Sequence, residues 1–166
     1  MSQAKFINRS EPFWQDKEVR FDVSSLELKL RTGEKVIESF SNVEDSKGNA
    51  GESGTSTLTN LRLIWQSKAK PRINLSIGLG CISSITNRTI HYKIRGTQEA
   101  LYIMTRVNGT RYEFIFSKIN NQNYDDPGLN QSMVEIITKA CRAYAATRLY
   151  RDLKLRSAVI TPNGKH

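Results

Sequence analysis

The chain has 166 residues, 38% of them hydrophobic, and a formal net charge of +9. This length predicts one globular domain whose core is large enough to fold without disulfides or a structural metal. We expect no secretory signal peptide and no transmembrane helix, because polar residues follow Met1 and no long apolar run occurs. Cys81 and Cys141 lie in apolar patterns, so we expect reduced core residues rather than a disulfide or zinc framework.

The positive charge is concentrated in the middle of the sequence. Residues 62–111 carry nine lysines and arginines and one glutamate, a balance of +8, whereas residues 1–53 carry eight basic and ten acidic residues. Such a segment projects a positive field toward an anionic partner. Its basic residues are Arg62, Lys68, Lys70, Arg72, Arg88, Lys93, Arg95, Arg106 and Arg111.

The elements along the chain predict a strand-rich body. We expect residues 1–12 to form a mobile tail. Alternation of apolar and polar residues over 61–66 and 73–81 indicates half-buried strands, with Asp45 to Gly54 as a flexible connection between two strands. Asn108 and Gly109 tolerate the positive φ of a type I′ turn, so a tight hairpin is predicted there, with Tyr112, Phe114 and Phe116 facing the core.

A helix follows the turn residues 125–128. An apolar stripe extends from Met133 to Ala145 at helical spacing, and Ser132 and Glu135 have the spacing of a capping box at the helix start. Several antiparallel strands followed by one amphipathic helix predict a mainly β fold, a curled sandwich or barrel capped by a single C-terminal α-helix.

Enzyme chemistry has little support in the sequence. His91 and His166 are the only histidines, and His91 lies in a predicted strand where a solvated role is much commoner than catalysis. No glycine-rich loop matches a nucleotide-binding motif, and no metal-ligand spacing occurs. We therefore expect a non-catalytic domain without a cofactor or a metal.

Binding is the function class that the cations favour. Lys68, Lys70 and Arg72 flank Pro71 in a predicted turn, where three cations at one loop tip suit phosphate groups. Arg88, Lys93 and Arg95 bracket a second polar stretch, and these six residues are the predicted lipid-binding site. Anionic head groups are favoured over nucleic acid because few aromatic residues interleave with the cations. An acidic patch on another protein is the alternative partner.

Several strings resemble the Bardet-Biedl syndrome protein five family, in the same order and over roughly residues 13–158. They are Val19–Asp22, Asp45–Asn49, Thr59–Trp65, Ile94–Ile103, Thr110–Phe116 and Tyr150–Ala158. The resemblance implies a pleckstrin-homology-like domain of the GRAM-related kind over residues 13–147. It also implies an extension over 148–166 that leads toward a second such domain, which this chain lacks.

The resemblance further implies a function. Members of this family are subunits of the BBSome, a coat-like assembly that moves membrane proteins into and out of cilia, and phosphoinositide binding is ascribed to them. The implied partners are phosphoinositide-containing membranes and other BBSome subunits, with no nucleic acid, in the cytoplasm and at the cilium and basal body. The alternative is a protein-interaction module that docks on another BBSome subunit and has no functional lipid site.

Overall fold

The computed structural model describes residues 14–46, 48, 51–92, 96–119 and 127–148, without the side chains of 92 and 127–131. The predicted tail (1–12) and nearly all of the predicted extension (148–166) lie outside these residues. The elements are β1 (Val19–Phe21), α1 (Ser25–Leu28), β2 (Val36–Asp45), β3 (Glu52–Thr59), β4 (Arg62–Ser67), β5 (Asn74–Gly78), β6 (Ile82–Tyr92), β7 (Gly96–Val107), β8 (Thr110–Lys118) and α2 (Pro127–Ala146), with a 3₁₀ turn at Leu79–Cys81.

All eight strands belong to one antiparallel sheet, in the order β1-β5-β4-β3-β2-β8-β7-β6. The sheet folds over on itself, because the ring of Phe21 on β1 lies 5.6 Å from that of Tyr112 on β8, five strands away in this order. A flat sheet would separate them by about 24 Å. Among the described strands, β1 and β6 do not pair with each other. The curled sandwich is thus confirmed, and the sheet is open rather than a closed barrel.

The core lies inside this curl and is sealed by α2. Trp65 on β4 is fully buried, and its indole N–H donates to the Val43 carbonyl at 3.0 Å. The helix packs on β6, β7, β8 and the 3₁₀ turn, with Met133 and Ile137 fully buried. The predicted apolar stripe therefore contains the residues that close the core. Neither described helix combines the length and the apolar character that crossing a bilayer requires.

The predicted hairpin is present. Val107 pairs directly with Thr110, and the two residues between them have positive φ, 50° at Asn108 and 80° at Gly109, as a type I′ turn requires. Phe114 and Phe116 are buried on the core side of β8. The connection predicted between residues 45 and 54 joins β2 to β3.

Two details of the prediction are wrong. The helix begins at Pro127, so Ser132 and Glu135 lie inside it and form no capping box at its start. The rigid φ of proline suits the first position of a helix, where its missing N–H is not needed. In addition, β4 and β5 are almost entirely buried rather than half-buried. The segment 27–34 crosses the outer face of β4, because Arg62 on that face donates to the Glu27 and Lys29 carbonyls.

Candidate anion-binding surfaces

The loop between β4 and β5, residues 68–72, carries three of the predicted site residues and is called the basic loop below. Lys68, Lys70 and Arg72 are exposed, and none of them forms an ion pair with another described residue. The loop contains a β-turn in which the Ile73 N–H donates to the Lys70 carbonyl at 2.8 Å, with Pro71 at the second position. Proline is common at the second position of a β-turn because its ring fixes φ near the value that this position requires.

Hydrogen bonds hold the backbone of the basic loop in place. The Lys68 N–H donates to the Ser53 carbonyl at 3.0 Å, and the Lys70 N–H donates to the Ser67 hydroxyl at 3.0 Å. The buried Asn74 side chain donates to the Pro71 carbonyl at 3.2 Å. The three cations therefore project from a fixed loop, so that an anion need not order the backbone when it binds.

Acidic residues lie near the base of the basic loop. The Ser67 hydroxyl donates to the Glu52 carboxylate at 2.5 Å, and the Asn74 N–H donates to the Asp22 carboxylate at 3.1 Å. These two carboxylates accept hydrogen bonds from the residues that flank the loop. The three cationic side chains, in contrast, are exposed to solvent. The loop thus presents positive charge outward above a partly acidic base.

Arg88 lies on β6, an edge strand of the sheet that pairs with β7, and its place in the predicted site stays a prediction. Its guanidinium carbon is 3.8 Å from the ring centroid of Tyr102 on β7, a cation–π contact. No described hydrogen bond, ion pair or ring contact joins Arg88 to the loop. Lys93 and Arg95 lie outside the described residues, so their membership of the site stays a prediction.

Tyr102 is the centre of a second cationic surface, which sequence reasoning missed. Arg88 covers its ring, and Arg111 on β8 has a raised pKa because it hydrogen-bonds to Tyr102 and to Glu113. Arg106 on β7 is directly opposite Arg111 in the strand register. Because Leu101 and Ile103 face the core, alternation directs Tyr102 to the other face. We call this outer surface of β6–β8, with Arg88, Arg106 and Arg111 around Tyr102, the arginine face.

Arg62 belongs to neither surface. Its position in the basic segment 62–111 predicted a share in the positive field, but its side chain is buried and its Nε lies 2.9 Å from the Glu34 carboxylate. Burial by itself raises the pKa of Glu34, but hydrogen bonds from Arg62, Thr59 and the Arg31 backbone outweigh burial and hold that pKa below its usual range. The charge of Arg62 is therefore cancelled inside the protein.

The other reactive groups show no arrangement for catalysis among the described residues. Burial, with a smaller effect of Asp16, raises the pKa of Cys81 to about 12, and burial raises the pKa of Cys141 to about 11. Both thiols are therefore protonated near neutral pH. His91 is exposed and its Nδ1 lies 3.0 Å from the Thr97 hydroxyl. Within the described ranges, no cluster of three His, Cys, Asp or Glu side chains could hold a metal ion.

An antiparallel sheet that curls over its core and is closed by one C-terminal helix is a pleckstrin-homology-like domain. The sequence model of the Bardet-Biedl syndrome 5 protein N-terminal PH-like domain matches residues 34–146, and the chain belongs to this family. The family resemblance seen in the sequence is thereby confirmed.

Curated relatives agree with this assignment. The BBSome complex member BBS5 of Mus musculus is 50% identical over 147 residues, which are 89% of this chain and 41% of the mouse protein. The Homo sapiens protein of the same name is 44% identical over 150 residues, 90% of this chain and 42% of the human protein. The chain thus spans about two fifths of the length of these relatives.

Among solved structures, the hSac2 domain from human phosphoinositide phosphatase Sac2 superposes with a TM-score of 0.57. The two share 12% sequence identity, and the match covers 71% of this chain and 76% of that one. At this identity the likeness shows a common fold alone.

Proposed function

We propose that this chain is a non-catalytic adaptor domain that binds phosphoinositide head groups through the basic loop and works within a BBSome at ciliary membranes. One observation supports lipid binding above all. Lys68, Lys70 and Arg72 are exposed on one anchored loop, and none of them forms an ion pair with another described residue. Membership of the family, whose curated relatives are named BBSome complex members, supports the assembly part.

The expected affinity is modest. A lysine or arginine near an anionic leaflet contributes on the order of 1 kcal/mol, so three cations contribute about 3 kcal/mol, which is roughly a hundredfold in the binding constant. This favours reversible recruitment to membranes, with firm attachment only where other contacts add to it. Arg88, Lys93 and Arg95 were predicted to share the site. The proposal depends on the basic loop, because no described contact joins Arg88 to it and Lys93 and Arg95 lie outside the described residues.

Vesicle sedimentation tests this proposal. The chain is mixed with vesicles of phosphatidylcholine alone, with phosphatidylserine added, or with a phosphatidylinositol phosphate added to the same surface charge. We expect the strongest pelleting with the phosphoinositide. The variant Lys68→Ser/Lys70→Ser/Arg72→Ser should lose most of that binding, since phosphate recognition needs these charges. Equal pelleting on all three vesicles at moderate salt would remove lipid recognition from the proposal.

A matched control separates the loop from net charge. Lys35, Lys139 and Arg142 are exposed, and the last two lie on α2, away from the loop in the chain. The variant Lys35→Ser/Lys139→Ser/Arg142→Ser removes the same charge and should keep nearly full vesicle binding. If both triple variants lose binding equally, the attraction comes from overall charge and the basic loop is not a site.

The second candidate function is a protein-interaction module with no lipid site. The arginine face favours it, because this surface offers stacked and closely spaced guanidinium groups on the sheet rather than on a loop. Lipid binding would need the basic loop, and protein binding would need the arginine face. Substitutions in one surface should therefore leave the other function intact.

A further inference from the structure

Arg88 is held in a fixed orientation on the arginine face. Its guanidinium stacks on Tyr102, which is only 4% exposed, while Arg88 itself is exposed. Among the described residues it has no carboxylate partner. A guanidinium that stacks through its plane keeps its N–H edges available for a carboxylate, which it can bind in a bidentate way. The ring thus orders the arginine without neutralising it.

The arginine face also contains an unfavourable pair of like charges. Arg106 and Arg111 are direct partners across β7 and β8, and like charges placed this way destabilise a sheet. Glu113 is the acid that pairs with Arg111 here, with 2.6 Å between Arg111 Nη2 and Glu113 Oε1. The net charge of these three arginines and one glutamate is +2. An additional anion between the strands would relieve the repulsion.

The shape of the arginine face suits an extended chain. Arg88 pairs with Ala100 on β7, and Arg106 is six residues further along the same strand, which is about 20 Å. Half-buried Met104 and Ile115 lie on the same side of the sheet between these ends. Tyrosine, arginine and methionine are residue types that protein interfaces favour. A stretch of about six extended residues would span the arginines.

We infer that the arginine face is the docking surface for an extended acidic segment of a partner protein. Carboxylates of this segment bind Arg88 and Arg106, and its apolar side chains contact Met104 and Ile115. The inference rests on the proposed role of the chain as one subunit of a larger assembly. It does not depend on the three cations of the basic loop.

Two synthetic peptides of seven residues test this inference against the isotope-labelled 166-residue chain. Both contain four glutamates and three serines. One has the glutamates at alternate positions, so that an extended backbone directs all four to one side, and the other has them in one block. We expect the alternating peptide to bind more tightly and to shift the NMR amide signals of residues 100–106 and 111–115. Shifts centred on residues 68–73 would overturn the inference.

Variants locate the binding and separate it from lipid recognition. Arg88→Ser/Arg106→Ser should weaken the alternating peptide about tenfold or more, since two charge-assisted contacts are lost, and leave phosphoinositide vesicle binding unchanged. Lys68→Ser/Lys70→Ser should do the reverse. Equal weakening of the peptide by both variants would overturn the docking surface. So would vesicles that shift the signals of residues 100–106, because the face would then be a lipid surface.

The variant Arg88→Lys tests whether the surface needs the planar guanidinium group or only a positive charge. Lysine keeps the positive charge but lacks the planar group that stacks on Tyr102 and binds a carboxylate through two N–H groups. We expect this variant to lose several-fold in affinity for the alternating peptide. Unchanged affinity would mean that any cation suffices, which contradicts a surface ordered by Tyr102.

Discussion

Arg62 and Glu34 form an ion pair that is sealed inside the protein. Their side chains are 1% and 0% exposed, and Arg62 Nε lies 2.9 Å from Glu34 Oε2. Arg62 also donates to the Glu27 carbonyl at 2.8 Å, the Lys29 carbonyl at 3.0 Å and the second Glu34 oxygen at 3.1 Å. One side chain therefore fastens the segment 27–34 over the outer face of β4.

Removing one partner of this pair should strongly destabilise the domain. Arg62→Met leaves the Glu34 carboxylate buried without its cation, so we expect the free energy of unfolding to fall by about 3–5 kcal/mol. Urea denaturation followed by tryptophan fluorescence measures it. The double variant Arg62→Met/Glu34→Leu should recover much of the loss, because it leaves no unpaired charge. A loss below about 1 kcal/mol in the single variant would mean that the pair behaves as an exposed one.

The pair also makes stability depend on pH. The pKa of Glu34 is lowered in the folded protein, so its contribution is fully present above the unfolded pKa of about 4.3 and is lost as pH falls through the folded pKa. The urea concentration at the unfolding midpoint, measured from pH 7 to pH 3, should decrease as the pH drops below the unfolded pKa. Glu34→Gln cannot titrate and should show a smaller fall. Identical pH profiles for both proteins would contradict this assignment.

Asn74 should be essential for the basic loop. Its buried side chain accepts from the Val23 N–H at 2.9 Å and donates to the Val23 and Pro71 carbonyls at 2.9 and 3.2 Å. Asn74→Ala leaves these groups without their partner, and we expect a loss of about 1–3 kcal/mol in unfolding free energy. The exposed Asn87→Ala is the control and should change stability by less than about 0.5 kcal/mol. Equal effects in the two variants would show that the loop is not held by Asn74.

Both cysteines should react slowly in the native protein. Burial raises the pKa of Cys81 to about 12 and that of Cys141 to about 11, so little thiolate, the reactive form, exists at pH 8. We expect alkylation by iodoacetamide to be slow in buffer and rapid for both residues in denaturant, as measured by mass spectrometry. Fast labelling of Cys81 in the folded protein would mean that its burial is only transient.

Much of the fold could be predicted from local pattern. The Asn108-Gly109 turn requires positive φ at both positions, and the structure has it. The helical stripe supplied Met133 and Ile137 to the core. The capping box at Ser132 was wrong because spacing alone does not show where the helix begins, which is at Pro127.

The candidate site was harder to predict. Grouping Lys68, Lys70 and Arg72 needed only a turn at Pro71, and the basic loop contains all three. Arg88 contacts Tyr102 on the neighbouring strand, and its membership of the site with Lys68, Lys70 and Arg72 stays a prediction. The arginine face could have been suspected from the predicted hairpin, since a two-residue turn makes Arg106 and Arg111 direct partners.

Backbone preference and side-chain alternation act between neighbouring residues, so the strand-rich body, the hairpin and the amphipathic helix can be read from local sequence. The environment of each charged side chain cannot, because it depends on how distant segments pack. Arg62 meets Glu34, 28 positions away, because the curl of the sheet and the segment above it exclude water from β4. Which cations face solvent, and which are cancelled, depends on contacts between residues far apart in the chain.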